Sequence, residues 1–557
     1  MDATTLQPEN GDSSFDALIV GGGLAGLYAL HRLRGMGMRV RVYEAGSGVG
    51  GTWFWNRYPG ARCDIESLEY SFSFSEALQQ EWKWPERYGT QPEILRYINH
   101  VAQRFDLLRD VVLDTRVVSA QFDPERNRWT LTTDKGDVAN APFCIMATGN
   151  LSTPRVPDFK GLERFKGKWY HSGLWPHEGV DFSGLRVAVI GTGSSGVQLI
   201  PYVARQAKTL HVFQRTANFI LPAKNMPLDP GTERAHKSEY PERRRAAYDT
   251  PFGIGGYPPP VKSALEATPE ERQRTFEAKW EQGGSINFLY AYNDLLLSQE
   301  SNETAAEFVR QKVRSIVRDQ AVAELLAPKD HPIGTKRLCL DTNYYEVYNQ
   351  RNVTLVDARR TPVEEILPGG LRTREAHYQF DAIVFATGFD AMTGALAEID
   401  VRTGVRSPFP STTLREEWSS GPRTYLGLMV AGFPNLFLVT GPGSPGVKSQ
   451  MILSIEQHTD WIVDCLKYMQ ERGLNRIGAS DQAQAAWVEH VNEIANATLY
   501  PLANSWYMGA NIPGKPRVFM PYVGGVHRYK KRCDEVALNG YEGFVLESVR
   551  RKEAVAG

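Results

Sequence analysis

Cysteine is scarce in this chain. There are five in 557 residues, at Cys63, Cys144, Cys339, Cys465 and Cys533. An odd number, widely spaced and without a C-x-x-C pair, excludes a disulfide framework and a dithiol redox centre. Charge of one sign is also missing. The 63 basic and 64 acidic residues leave a formal charge of −1, so no general attraction to nucleic acid or anionic lipid follows. The two basic runs, Arg243-Arg244-Arg245 and Lys530-Lys531-Arg532, read as solvated helix faces. No apolar run reaches the ~18 residues of a membrane span. The opening "MDATTLQPENGDSS" has no apolar segment of a secretory signal. An acyl hydrolase has no support, because no G-x-S-x-G occurs. These absences predict a reduced, cytoplasmic protein with no metal site and no obligate protein partner.

What is present is a pattern that occurs twice. "DALIV" has strand character and runs into "GGGLAG", then "LYALHRL", where Leu27, Leu30 and Leu33 recur on one helix face. "RVRVYE" follows and ends on Glu44, and "FCIMATG" closes the unit at Gly149. Later "RVAVI" runs into "GTGSSG", "VQLIPYVARQA" and "TLHVFQRT", and "AIVFATG" closes at Gly388. Strand, glycine loop and helix open a dinucleotide-binding βαβ unit. The fold class predicted is therefore α/β, with two Rossmann-like dinucleotide-binding domains. Residues 1–14 form a polar tail. Residues 15–150 and 386–547 make the first domain. Residues 151–385 make the second, including a linker over 151–183 and a charged helical insertion over 222–333. "PEERQRTFEAKWEQ" and "TAAEFVRQKVRSIVRD" are helix-like stretches of that insertion, and "SIEQHTDWIVDCLKYM" reads as one amphipathic helix with Ile455, Ile462, Leu466 and Met469 on one face.

The two loops differ in the charge that follows them. In Gly21-x-Gly23-x-x-Gly26 the glycines permit a tight turn and close approach to a pyrophosphate. Glu44 stands eighteen residues past Gly26, where a carboxylate accepts from a ribose diol. In Gly191-x-Gly193-x-x-Gly196 the same offset gives Gln214, followed by Arg215 and Thr216. No acid is there to repel a 2′-phosphate, and Arg215 can pair with one through its fork. The second site is thus read as an NADPH site. The first could hold NAD, but FAD is favoured, because a flavin beside NADPH has an electron path and two pyridine nucleotides have none.

Four further stretches carry a specific resemblance. "FKGKWYHSGLWP" supplies Phe165, Gly167, His171, Trp175 and Pro176 in the order F-x-G-x-x-x-H-x-x-x-W-P. "GGTWFWNRYPGARCD", "GTKRLCLDTNYYEVYN" and "NSWYMGANIPGK" follow it or precede it in order. Together they make the chain resemble the type I Baeyer–Villiger monooxygenases, and most of all the phenylacetone and steroid monooxygenase branch. The resemblance implies a reaction. NADPH reduces FAD, dioxygen adds to give a C4a-peroxyflavin, and one oxygen atom enters the bond beside a ketone carbonyl, yielding an ester or lactone. Sulfoxidation is the implied side activity. A flavin N- or S-oxygenase is the rival, and Trp175-Pro176 and Arg337 argue against it.

The resemblance also implies roles for residues. FAD is expected on Gly21, Gly23, Gly26, Glu44, Thr52, Trp53, Asp64, Tyr70, Val117 and Met451. NADP is expected on Thr192, Gly193, Ser194, Ser195, Gly196, Gln198, Arg215, Thr216, Lys336, Arg337 and Trp506. Arg337 is the expected catalytic cation, since an arginine cannot surrender its proton, with Asp64 holding it. "GPGSPGVKSQM", Gly441 to Met451, is implied to line the ketone pocket, with Val447 and Lys448 free to vary it. The aromatic stretch 165–176 is read as a connector and hinge, and His171 as a hydrogen-bonded positioning group and not the oxygen-transfer base, with a catalytic and a purely structural role both left open.

Overall fold

The computed structural model describes residues 14–404 and 412–550; residues 1–13 of the polar tail lie outside them. Four apolar runs become buried central strands, as expected where a parallel sheet is covered on both faces. In the first sheet the order is Leu436–Leu438, Phe143–Met146, Ala17–Val20, Val40–Tyr43, Val111–Val112, with every pairing parallel. In the second it is Lys168–His171, Ala382–Phe385, Arg186–Ile190, Thr209–Gln214, Val353–Asp357, again all parallel. The plan is the same in both. A glycine-loop strand lies at the centre, with an ATG strand on one side and, on the other, the strand that precedes Glu44 or ends on Gln214.

That repetition relocates the aromatic stretch. Residues 168–171 are not a free connector but the edge strand of the second sheet, in the place that Leu436–Leu438 holds in the first. Gly167 enters the strand where a Cβ would sit 2.4 Å from the Asp381 carbonyl oxygen, so no side chain fits. Trp175 is buried against Tyr170 and Phe182.

The C-terminal part returns to the first sheet. Ile452, Ile462 and Tyr529 share one core with Ile19 and Leu27, and the Tyr28 hydroxyl donates to Asp460 at 2.8 Å. The helix Met451–Glu471 buries Ile455, Ile462, Leu466 and Met469, but Glu456, Gln457 and His458 are buried as well. It is enclosed nearly all round rather than amphipathic, because it lies between the first domain and the helix Val526–Leu538. A mixed sheet of Thr412–Thr413, Asp400–Thr403, Val117–Asp123, Arg128–Thr133 and Val138–Ala141 covers the other face.

The stretch from Pro230 to Leu326 carries six helices. Pro269–Gln282 starts where the Thr268 side chain accepts from the Glu271 N–H and proline takes the first helical position. The helices pack on a core of Phe276, Trp280, Phe288 and Phe308. One of the basic runs is not a solvated face. Arg244 reaches the first domain, donating to the carbonyls of Glu69 and Leu68 and to the Ser71 hydroxyl. Arg243 and Arg245 pair with Glu239 and Glu242 on their own helix face.

Candidate active site

Each glycine loop leaves a helix N-terminus open. Leu24–Gly35 and Ser194–Gln206 begin after Gly23 and Gly193 with no side-chain cap and no acid in the first turn. Their first N–H groups are therefore available to an anion, reinforced by the helix dipole. The turns are built alike. Gly21 has φ +107° and a Cβ there would lie 2.5 Å from the Ala147 carbonyl oxygen; Gly191 has φ +111° and would meet that of Ala386 at 2.4 Å. Each loop thus rests against the alanine of its own ATG. Gly26 and Gly196 allow the helix to approach the loop carbonyls of Gly21 and Gly191.

One cleft runs past both loops. Gly21, Gly23, Glu44, Thr52, Trp53, Asp64, Tyr70, Val117 and Met451 line it from the first domain, and Ser194, Ser195, Gln198, Lys336 and Arg337 from the second. Gly26, Thr192, Gly193, Gly196, Arg215, Thr216 and Trp506 do not line it. Gly26 and Gly196 lie behind the turns, and the Thr192 hydroxyl donates to the Thr216 carbonyl at 3.2 Å. Trp506 packs behind Tyr507, with ring centroids 4.2 Å apart, and Tyr507 takes the lining position.

The first half suits a dinucleotide with an unphosphorylated ribose. Gly51, at φ +53°, faces Gly23 so closely that a Cβ on Gly51 would lie 3.0 Å from the Gly23 Cα. Bare backbone on both sides suits the close approach of a pyrophosphate. Glu44 is buried, and its oxygens accept from the N–H groups of Gly22 at 2.6 Å and Gly46 at 2.7 Å. Burial pushes its carboxyl above the usual range, and those two N–H groups oppose the rise. Each oxygen keeps acceptor capacity for a hydroxyl. Beside it the Trp53 indole donates to the Tyr70 hydroxyl at 3.0 Å.

The second half is cationic. Gln214 is buried and turned away, donating to the Leu325 carbonyl at 2.7 Å. Arg215 is exposed just past the strand end. Burial lowers the Lys336 ammonium, and the charges of Arg215 and Arg359 lower it further, against Asp330. Arg155 is lowered by burial and by Arg215. Four cations thus converge. Sequence reasoning missed Arg155 and Arg359. The Arg359 signal was there to find: Gln214 and Asp357 are register partners on adjacent parallel strands, so Arg215 and Arg359 follow neighbouring carboxyl ends, where α/β sheets bind ligands. Arg155 is brought in only by the chain reversal after Gly149.

Between the halves stands Arg337. Its Nε donates to Asp64 Oδ2 at 2.9 Å, and Nη2 lies 2.8 Å from the same oxygen. Burial works against the guanidinium charge, but Asp64, Tyr507 and Cys63 together outweigh it, so its pKa lies above the ordinary value. Asp64 Oδ1 is buried with no partner in the protein, which calls for a donor from a bound molecule. Gln198 ties the motif around Asp64 to the second domain: it accepts from the Tyr58 hydroxyl at 2.8 Å and donates to the Arg62 carbonyl at 3.1 Å. Gly60, at φ +85°, permits the approach, since a Cβ there would lie 2.4 Å from the Gln198 carbonyl oxygen.

His171 is outside the cleft lining and fully buried. Its Nδ1 accepts from the Gly173 N–H at 3.0 Å, and its Nε2 lies 3.2 Å from the Thr387 hydroxyl, which donates to the Arg155 carbonyl at 2.6 Å. Burial lowers its pKa to about 4, so it is neutral. Among the described residues no group of side chains could hold a metal ion, and no helix is long and apolar enough to cross a membrane.

Comparison with known proteins agrees with this geometry. Residues 18–239 match the family model "Pyridine nucleotide-disulphide oxidoreductase", although all five cysteines are buried and free. A Baeyer–Villiger monooxygenase of Pseudooceanicola batsensis is 41% identical over 99% of this chain and 100% of its own. The acetone monooxygenase (methyl acetate-forming) of a Gordonia species is 41% identical over 96% and 99%. A structure of oxidised steroid monooxygenase bound to NADP superposes with a TM-score of 0.91 at 51% identity, covering 96% of this chain and 100% of that one. Two nucleotide loops, one shared cleft and this full-length kinship place the chain among the Baeyer–Villiger monooxygenases, which use FAD and NADPH to insert one oxygen atom of O2 beside a ketone carbonyl.

Proposed function

We propose that FAD lies along the first glycine loop and Glu44, with Thr52, Trp53, Asp64, Tyr70, Val117 and Met451 around it. NADPH lies along the second loop, with its 2′-phosphate among Arg215, Lys336, Arg155 and Arg359. When bound, the flavin supplies hydride acceptance and oxygen delivery. Everything else is the work of side chains. Arg337 holds a fixed positive charge where negative charge gathers on the oxygen being transferred. Asp64 orients that guanidinium through Nε and Nη2 and balances its charge. The cleft walls keep water from the reacting atoms, which strengthens the same interaction. The observation that carries this reading is that Arg337 lines one cleft with both glycine loops.

Because His171 is neutral, buried and bonded to Thr387, we read it as a positioning residue that joins the edge strand to the second ATG, and not as a proton carrier. The substrate is a small-molecule ketone, received beside the loop from Gly441 to Met451. The free, buried cysteines suit a reducing compartment, and we propose a cytoplasmic location. The test is direct. Purified holoenzyme mixed with NADPH, air and a ketone panel should give esters or lactones by gas chromatography in step with NADPH use. NADPH consumption that yields only hydrogen peroxide with every ketone would overturn the reading.

A further inference from the structure

The cleft contains a second cation that the proposed chemistry does not use. Lys448 ends a short 3-10 turn, Gly446–Lys448, just before the helix Met451–Glu471. It lines the cleft together with Arg337, Tyr507, Val447, Ile286 and Leu289. Its Nζ lies 4.5 Å from the Tyr500 ring centroid and 4.7 Å from that of Tyr507. Two ring faces therefore hold the ammonium in place.

The two cations are provided for differently. Arg337 has Asp64. The groups around Lys448 are the Tyr500 and Tyr507 phenols, both raised by burial and so neutral, and Arg337, whose charge repels it. Asp64 and Cys339 act on Tyr507, and Asp64 is already engaged by Arg337. No carboxylate of the protein pairs with Lys448 among the described residues. Burial, and then Arg337, lower its pKa to about 7. Aromatic faces recover part of the lost hydration of an ammonium but not all of it. A lysine held this way is a receptor for an anion brought from outside. The nucleotide phosphates have their own donors at the glycine loops and at the Arg215–Lys336 cluster. Val447, Ile286 and Leu289 give the same cleft an apolar wall, as suits the carbon skeleton of a ketone.

We propose that Lys448 is a specificity-determining residue, and that the preferred ketones carry a carboxylate which pairs with its ammonium while their apolar body lies against Val447, Ile286 and Leu289. This rests on reading the cleft as the ketone site.

The test uses holoenzyme and two matched series of probes. One is (ω−1)-oxo acids, methyl ketones with a terminal carboxylate, with spacers from ethylene to octylene. The other is the corresponding primary amides. The quantity read is the acid-to-amide ratio of kcat/KM for ester formation, which cancels any general loss of folding or turnover in a variant. At about pH 6.5 the ratio should reach at least about tenfold at one or more spacer lengths, carried by KM. Lys448→Leu should bring it to about one, and Lys448→Arg should keep it. In the unaltered enzyme the ratio should fall as pH rises, with an apparent pKa near the value of about 7 that Lys448 has without substrate, because kcat/KM reports groups of the free enzyme. The carboxylate of the probe is ionised throughout. A ratio near one at every spacer length, an acid preference that survives Lys448→Leu, a pH-independent ratio, or a Lys448→Leu effect confined to NADPH affinity would each overturn the proposal. Failure of the ketone-site reading looks different: the neutral amides and plain cyclic ketones would then yield no ester at all.

Discussion

Removing Arg337 should separate the two half-reactions. In Arg337→Ala the hydride half needs only that both nucleotides bind, so anaerobic reduction of the flavin by NADPH should stay within a few-fold of the parent. The oxygen half loses its fixed charge. Asp64 occupies the Nε and Nη2 side of the guanidinium, which leaves the Nη1 side for the reacting oxygen. Loss of one such preorganised donor costs about 2.7–4 kcal/mol, or roughly two to three decades in rate. The side chain is 37% exposed, so solvent in the cleft screens part of its field, and the lower end, about a hundredfold, is the better expectation. Asp64 would also be left buried without its cation, and some loss of thermal stability should accompany the change. Stopped-flow absorbance of the flavin measures the first half, and chromatography of the ester the second; the NADPH still consumed should appear as hydrogen peroxide. Ester formation at the parental rate would refute the reasoning. So would an equal loss in both halves, which would make Arg337 a nucleotide-binding residue and nothing more.

Arg215→Ala should raise KM for NADPH about tenfold, from the ~1.5 kcal/mol of a charge-assisted hydrogen bond at an exposed site. NADH kinetics should hardly change, and equal impairment with both nucleotides would remove Arg215 from the 2′-phosphate site. Gly21→Ala should give protein purified without yellow colour, because a Cβ there would collide with the Ala147 carbonyl. Gly191→Ala should retain the colour but lose NADPH-driven reduction, and a colourless Gly191→Ala protein would contradict the assignment of the loops. Acid should destabilise the fold through buried histidines. Burial lowers His171 from 6.5 to about 4 and His458 from 6.5 to about 3. The unfolded chain therefore binds more protons in that window. The stability contributed is complete above about pH 6.5 and is lost as pH falls toward 4, by roughly 3 kcal/mol for His171. Differential scanning fluorimetry of His171→Gln should show a flatter fall in Tm over this range, and an unchanged slope would remove His171 as its source.

Much of the framework was legible because it is local. "DALIVGGGLAG" and "RVAVIGTGSSG" need only a strand, a positive-φ glycine and an uncapped helix start, and all three are written in consecutive residues. Pro269–Gln282 could be read to its ends for the same reason, with a threonine cap and a proline at its start. What was not legible depends on packing between distant segments. Nothing in "KWYH" says that it forms a sheet edge, because a strand of four residues takes its pairing from the partner, here Ala382–Phe385. Nothing in "RRR" separates Arg244, which crosses to the first domain, from its two solvated neighbours. The amphipathic pattern of residues 454–469 showed one buried face and hid the other, since Glu456 and His458 look like surface residues until Ser73 and Thr440 are seen bonded to them. The cation cluster was half visible for a similar reason: Arg215 follows a glycine loop by a fixed count, while Arg359 follows a different strand and Arg155 sits in the loop after Gly149.

The two loops show why charge must do the discriminating. Their backbones present the same turn, the same contact with an ATG alanine and the same uncapped helix. Gly51 walls the first cradle and nothing stands within 4 Å of a Cβ at Gly193 in the second, but the shared features cannot tell one dinucleotide from another. The difference begins at the end of the next strand. Glu44 braces its own loop by accepting from Gly22 and Gly46, and its negative charge stands against any phosphate on the ribose. In the second domain the corresponding side chain, Gln214, is neutral and spent on Leu325, and the space beyond it belongs to cations that raise one another's cost. Lys336 and Arg155 are both held below their usual pKa partly by Arg215. Like charges brought together at a strand end destabilise the empty protein; Asp330 relieves them in part, acting on Lys336 and lying 3.8 Å from Arg359, and an anion of high charge density would relieve them further. A 2′-phosphate meets that need and a ribose hydroxyl does not. On the proposed assignment, charge makes the second site selective for NADPH, while the buried, backbone-braced carboxylate of the first opposes a phosphorylated ribose there.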